Sequence, residues 1–115
     1  TKNSMPLFNL TWSSRFFWDG RAATLRQQVL MPVEDPIEMH DNLPAVVNEL
    51  KATTLYPQLF GKAFGSEEIT AEKMAKALEQ FILSIVSTDS KFDKFRQNPV
   101  LNPLSPSEQR GFDLF

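Results

Sequence analysis

The amino-acid sequence predicts an all-α fold with long irregular connections in its N-terminal part. Apolar residues recur at three- and four-residue spacing between Ala71 and Ser87, the pattern of one buried helix face. No stretch shows the strict alternation that is typical of a half-buried strand. Residues 1–18 have no helical period and contain several turn-forming residues. Irregular segments of that length are usually functional or pack against another polypeptide.

The first 42 residues are predicted to contain one short helix. Asp19-Gly20 marks a turn, and a helix is expected to follow from about Ala23 to Met31. Pro32 and Pro36 are expected to end it, because proline lacks an N–H and restricts the residue before it. Residues 33–41 are therefore expected to form a loop.

The remainder of the chain reads as a series of capped helices. Asn42 is a suitable cap for a helix that runs to about Lys51, and Thr54 for a shorter one that stops at Gly65. Thr70 caps the clearest helix, 71–87.

Three further features support these helix assignments. Ile69 and Met74 can form a hydrophobic staple across the start of the long helix. A shorter turn is expected from Lys91 to Arg96. Ser105 and Glu108 form a capping box at the start of the last helix.

The composition excludes several classes of function. The chain has 115 residues, which is one ordinary domain. It contains no cysteine, which excludes disulfides, thiolate metal sites and cofactors attached through cysteine, and its one histidine cannot form a His cluster. A net charge of -2 gives no footprint for nucleic acid. No apolar run approaches the roughly 18 residues of a membrane-spanning helix.

The densest motif runs from Phe16 to Ala22 and joins an aromatic cluster to a charged turn. The simpler interpretation, which the residues alone favour, is a core anchor in which Asp19 and Arg21 pair locally. The alternative is a redox position, because the indole of Trp18 can relay electrons and its N–H can bind a polar group of a cofactor.

Other polar residues also have two interpretations. Glu38 follows a proline-fixed acidic loop, and it is either a solvated carboxylate or a general base and acid in an apolar pocket. Gln28 is an exposed helix position or a pocket residue. Met39 and His40 are potential heme ligands, although packing and solvent exposure are the better expectations. Asn3 is a turn residue or a calcium ligand.

In combination, these residues resemble the bacterial di-heme cytochrome c peroxidase family. That family also includes the enzyme that matures tryptophylquinone in methylamine metabolism. The resemblance rests on an ordered set of motifs: Phe17-Trp18-Asp19-Gly20-Arg21-Ala22, Leu25, Gln28, Pro32, Glu38-Met39, Tyr56, Phe60, Phe64-Gly65, Ile69-Thr70, Ala77-Leu78-Phe81 and Ser107-Glu108-Gln109-Arg110-Gly111 to Leu114-Phe115.

The resemblance implies a role for each matching residue. Trp18 matches a tryptophan between two hemes on the electron path. Gln28 and Glu38 match the polar pair of the peroxide pocket, in which Glu38 is the acid-base group for O–O cleavage. Phe17 and Met39 are expected to line the heme surroundings. Asn3 matches a ligand of the calcium ion between the hemes.

The resemblance also implies a cytochrome c-like fragment of a larger periplasmic enzyme. The parent protein is expected to carry two c-type hemes, attached by Cys-x-x-Cys-His motifs on either side of this chain. It is expected to reduce hydrogen peroxide with electrons from a small cytochrome c or copper protein. A homodimeric parent stays open. Without those motifs the fragment alone is expected to hold no heme and to be inactive.

Within the single fragment 1–115, three regions are expected. Residues 1–42 form a heme-pocket loop region with one short helix, 43–97 a helical region, and 98–115 a linker and the start of the second heme domain. Two alternatives stay open: a relative that oxidises a protein substrate, and a non-catalytic helical interaction module.

Overall fold

A computed structural model of the chain describes residues 3–115. The structure is 54% helical and the described residues form no strand, which confirms the predicted all-α class. The chain divides into two compact units, Thr1–Ile85 and Val86–Phe115. A short 3₁₀ helix, Leu10–Trp12, precedes the α-helices. In order they are α1 (Leu25–Gln28), α2 (Met31–Glu34), α3 (Leu43–Ala52), α4 (Leu55–Phe64), α5 (Ala71–Ser84), α6 (Lys91–Gln97) and α7 (Pro106–Leu114).

The N-terminal segment of the first unit is irregular, as expected, but it is anchored. The Asn9 N–H donates to the Ile85 carbonyl at 2.9 Å, and the Thr11 hydroxyl donates to the Leu83 carbonyl at 3.3 Å. These bonds hold the segment against the end of α5. Its apolar side chains enter the first core, which contains Leu10, Phe16, Ala22, Leu25, Val29, Ala75 and Ile82.

A second core joins α3, α4 and α5. It is built from Val47, Phe60, Ile69 and Met74, and Ile69 is completely buried. Because Ile69 and Met74 lie on either side of the Thr70 cap, the predicted hydrophobic staple is confirmed as part of this core. Burying an isoleucine side chain stabilises a fold by roughly 1.5–3 kcal/mol.

Most predicted helix starts are confirmed by their caps. The side chains of Asn42 and Thr70 accept hydrogen bonds from the backbone N–H groups of Ala45 and Lys73. Gly65 ends α4 with a φ of 74°, a left-handed conformation that glycine adopts at little cost. The start of α4 differs, because Thr54 stands at the cap position but its side chain makes no capping bond.

The structure contradicts the prediction of one helix from Ala23 to Met31 followed by a loop. The chain forms two single-turn helices, α1 and α2, and the second covers residues predicted to be irregular. Pro32 lies in the first turn of α2, where its missing N–H needs no partner. The proline therefore begins a helix here instead of ending one. At the other end of the long helix, α5 stops at Ser84 rather than Ser87 because Ile85 leaves helical geometry.

The second unit contains α6 and α7. Capping boxes begin both helices, with Ser90 and Asp93 on α6 and the predicted pair Ser105 and Glu108 on α7. The rings of Phe92, Phe95 and Phe112 pack together with centroids 5.7–6.2 Å apart. An ion pair between Lys91 and Glu108 also joins the two helices.

None of the helices found between residues 3 and 115 is both long enough and apolar enough to cross a membrane.

Candidate functional site

The first unit contains a cavity of about 630 Å³. Three stretches of chain meet there: the N-terminal segment, the turn after Phe16, and the region from α1 to the loop after α2. The lining residues are Asn3, Ser4, Met5, Leu7, Phe17, Trp18, Asp19, Arg21, Gln28, Pro32, Asp35, Ile37 and Glu38.

A tight turn between Phe16 and Ala22 presents the aromatic residues to the cavity. The backbones of Phe16 and Ala22 pair through two hydrogen bonds of 3.0 and 3.4 Å, and both side chains are buried in the first core. Closing this turn puts Phe17 and Gly20 in left-handed conformations, with φ of 64° and 69°. Trp18, between them, is left 65% exposed at the cavity wall.

Charged and aromatic contacts fix the turn. The Arg21 guanidinium pairs with Asp19 at 3.1 Å and lies over the Phe17 ring, 3.5 Å from its centroid. Desolvation acts to raise the pKa of Asp19, but hydrogen bonds from the backbone and side chain of Arg21, with its charge, bring that pKa below its ordinary value. The predicted pairing of Asp19 and Arg21 is confirmed.

The indole of Trp18 is held by the N-terminal segment. Its Nε1–H donates to the backbone carbonyl of Asn3 at 2.7 Å. This bond orients the ring and uses the main chain of Asn3, not its side-chain amide. The residue predicted to bind calcium and the residue predicted to carry electrons are therefore in direct contact.

Gln28 is buried and its side-chain carbonyl has no partner. It is the last residue of α1, which begins with Thr24 accepting a hydrogen bond from the Gln27 N–H. Gln28 is only 5% exposed, and Oε1 makes no hydrogen bond. The expectation of an exposed helix position is wrong. An unpaired buried carbonyl costs roughly 1–3 kcal/mol, so Oε1 is an acceptor suited to a donor that enters the cavity.

Glu38 reaches the cavity on a loop organised by Asp35. The side chain of Asp35 accepts from the Ile37 N–H at 2.9 Å, and its backbone carbonyl accepts from the N–H groups of Glu38 and His40 at 3.0 Å. Glu38 therefore has a fixed main chain and an exposed carboxylate at the cavity. Met39 is 67% exposed and lies outside the set of lining residues.

Two contributors to the site are not identified by the sequence analysis. The sequence places Asp35 only in an acidic loop, although an aspartate before proline is a turn-forming signal that could have indicated its role. Met5 lines the cavity, and its sulfur accepts a hydrogen bond from the Phe17 N–H at 3.0 Å. No local pattern identifies Met5, because its partner is twelve residues away.

Comparison with known proteins assigns this chain to a family. The family model for di-haem cytochrome c peroxidase matches residues 1–100. The chain belongs to the di-haem cytochrome c peroxidase family, as its motifs indicated.

Three relatives show the range within the family. The methylamine utilization protein MauG of Methylorubrum extorquens is 39% identical over 115 residues, which is 99% of this chain and 32% of that protein. The cytochrome c551 peroxidase of Nitrosomonas europaea is 33% identical over 98% of this chain and 34% of its own length. The cytochrome c551 peroxidase of Pseudomonas aeruginosa is 33% identical over 99% of this chain and 33% of its own length. The chain thus spans about a third of the length of these relatives.

The residues that line the cavity suit contact with one face of a heme, but the chain has no residue that could attach a heme covalently. Its rim carries exposed apolar side chains, Trp18 and Ile37, that suit the face of a large flat ring. The buried carbonyl of Gln28 suits a donor at that face. The chain has no cysteine for thioether bonds, and His40 is not among the lining residues. Between residues 3 and 115, no three His, Asp or Glu side chains converge as a metal site.

Proposed function

We propose that this chain forms part of the peroxide site of a di-heme cytochrome c peroxidase, which reduces hydrogen peroxide to water. The observation that carries the proposal is the cavity itself, where Trp18, Gln28 and Glu38 meet although the sequence separates them by ten residues at each step. The family assignment supports the same chemistry. The balanced reaction is H₂O₂ + 2 e⁻ + 2 H⁺ → 2 H₂O.

Glu38 is the acid-base group in this proposal. Its carboxylate accepts a proton from one peroxide oxygen and delivers it to the other, so that the departing oxygen leaves as water. The loop held by Asp35 fixes the backbone at Glu38 and leaves the carboxylate free to change its hydrogen-bond partner. Gln28 orients the peroxide, since its buried Oε1 accepts a hydrogen bond from a peroxide O–H.

Trp18 lies on the electron path. Two c-type hemes, which residues outside this chain would attach, would supply the electrons for the reduction, and Phe17 and Met39 would line their surroundings. The bond from the Trp18 indole to the Asn3 carbonyl fixes the orientation of the indole ring. It leaves the side-chain amide of Asn3 available for calcium between the hemes.

The partners and location follow from the same proposal. Electrons come from a small cytochrome c or copper protein. Hemes of this type are attached outside the cytoplasm, so we place the whole protein in the periplasm.

The decisive experiment replaces Glu38 with Gln in the full-length, heme-loaded protein. Peroxide turnover should fall by about 100-fold or more, because general acid-base catalysis contributes roughly 10²–10⁴-fold, while both heme absorption spectra are retained. Glu34→Gln is the matched control, since Glu34 is an exposed carboxylate four residues away that does not line the cavity. Normal turnover of the Glu38 variant would remove its assigned role.

A second candidate is oxidation of a protein substrate at the same two-heme site. The chain is 39% identical to the methylamine utilization protein and 33% identical to two cytochrome c551 peroxidases. This higher identity supports protein oxidation as a second candidate function. A steady-state assay that supplies peroxide together with a cytochrome or copper-protein donor and a candidate protein substrate distinguishes the two functions. Rapid donor oxidation supports the first. Peroxide-dependent oxidation of the protein substrate without donor oxidation supports the second, because the two electrons that reduce each peroxide then come from that substrate.

A further inference from the structure

We propose that the ion pair between Arg26 and Glu79 positions the side chain of Gln28 in the cavity. Arg26 is thus a positioning residue for peroxide binding and Glu79 its anchor. This inference rests on the function proposed above, to which it adds a device that sets peroxide affinity.

The ion pair joins α1 to α5 across 53 residues of sequence. Arg26 Nε and Nη2 both donate to Glu79 Oε2, at 3.0 and 2.6 Å. The Glu79 side chain is only 15% exposed, whereas that of Arg26 is 48% exposed. The carboxylate is therefore a fixed point on α5, and the flexible guanidinium brings α1 to it.

The electrostatics of α5 support this orientation of Arg26. Glu72, on the same helix, has a pKa below its ordinary value, mainly because Lys76 donates a hydrogen bond and adds its charge, and to a smaller extent because of Arg26. The charge of the guanidinium thus acts on more than one carboxylate of α5.

The helical positions of α1 explain how Arg26 acts on Gln28. Leu25 and Val29 are buried in the first core. At about 100° per residue, Arg26 and Gln28 lie about 80° to either side of the direction in which these two point. One edge of the helix is therefore tied to α5 and the opposite edge faces the cavity. Any rotation of α1 that breaks the ion pair also moves Gln28.

A small rotation has a large effect at the cavity. Helical side chains end about 5–6 Å from the helix axis, so a rotation of about 10° moves the tip of Gln28 by about 1 Å. A displacement of that size takes Oε1 beyond the roughly 3.2 Å over which it can accept a hydrogen bond from peroxide. A helix of four residues has little rigidity of its own, so its tertiary contacts decide where Gln28 lies.

The test uses Glu79→Gln, which keeps the shape of the side chain and removes its charge, in the heme-loaded protein. The KM for peroxide should rise about tenfold while kcat changes little, the result expected when a ground-state binding contact is lost. Exchanging both charges, Arg26→Glu with Glu79→Arg, should restore most of the lost affinity. Lys76→Gln is the control, because it removes an ion pair within α5 (2.7 Å) that does not reach α1.

A double-mutant cycle with Gln28→Ala tests the route of the effect. If Glu79 acts through Gln28, Glu79→Gln should not change the KM further once the Gln28 side chain is gone. An unchanged KM in the single Glu79 variant, or an equal rise with and without Gln28, would overturn the inference.

Amide hydrogen exchange gives a readout that does not depend on activity. Glu79→Gln should accelerate exchange at the Gln28 and Val29 N–H groups, which donate to Thr24 and Leu25 at 3.1 and 3.0 Å. Faster exchange with an unchanged KM would mean that the ion pair has a structural role only. Unchanged exchange in the Glu79 variant would reject the ion pair as an anchor. If the unaltered holoenzyme does not reduce peroxide, the proposed function itself fails.

Discussion

Gln28 should reduce the stability of the folded chain, because it places an unpaired polar group in the cavity wall. Its Oε1 is buried without a partner, and such a group costs roughly 1–3 kcal/mol. Gln28→Met removes the carbonyl and keeps an unbranched side chain of similar length and helix propensity. The free energy of unfolding should therefore rise by about 1–3 kcal/mol.

Thermal unfolding of the chain, followed by far-UV circular dichroism, measures this change. For a domain the size of the first unit, 1 kcal/mol corresponds to about 4–8 °C in Tm. The substitution should thus raise Tm by at least about 4 °C. An unchanged or lower Tm would refute the reasoning, because it would mean that Oε1 is satisfied in solution.

The neighbouring glutamine, Gln27, supplies a control in which the same substitution should not raise Tm. Gln27 is exposed, and its Oε1 accepts a hydrogen bond from the Ala23 N–H at 3.3 Å. Gln27→Met loses that bond and should leave Tm unchanged or slightly lower. In the heme-loaded protein, Gln28→Met should also raise the KM for peroxide, so that stability and peroxide affinity change in opposite directions.

Three further predictions concern the helix ends. Thr70→Ala removes the cap that accepts from the Lys73 N–H and should lower unfolding stability in urea by about 1 kcal/mol; Thr70→Ser should retain most of it. Gly65→Ala meets no atom within 4 Å, so its φ of 74° alone should cost about 1 kcal/mol, and a neutral result would contradict the helix end described here. The hydrogen bond from Lys91, with those at the helix cap, lowers the pKa of Glu108 from 4.5 to about 2. Because the folded-state pKa is depressed, this stabilisation is present above pH 4.5 and is lost as the pH falls towards 2, so the helicity of the second unit should decline over that window and Glu108→Gln should flatten the dependence.

Local signals in the sequence were sufficient for most of the fold. The sequence identifies Asn42, Thr70 and Ser105 as caps because each capping bond joins residues three positions apart. It also identifies the staple between Ile69 and Met74, which lie five positions apart. Short-range contacts of this kind depend on side-chain chemistry that the sequence states directly.

Most of what the sequence did not predict depends on distant contacts. The break between α1 and α2 has a local cause, because Pro32 has no N–H to bond the carbonyl of Gln28, but the sequence does not show that a helical turn begins again at Met31. The sulfur contact of Met5 and the ion pair of Arg26 and Glu79 link residues 12 and 53 positions apart. The roles of the cavity residues stay predictions, because they depend on groups outside this chain.

Every position of the single turn of α1 makes a specific contact. Leu25 lies in the core, Arg26 contacts α5, Gln27 binds the preceding backbone and Gln28 faces the cavity. Each of the four side chains thus makes a different contact. Mutational tolerance should be lowest here, and directed evolution of the site should proceed through the flanking loops and not through this turn.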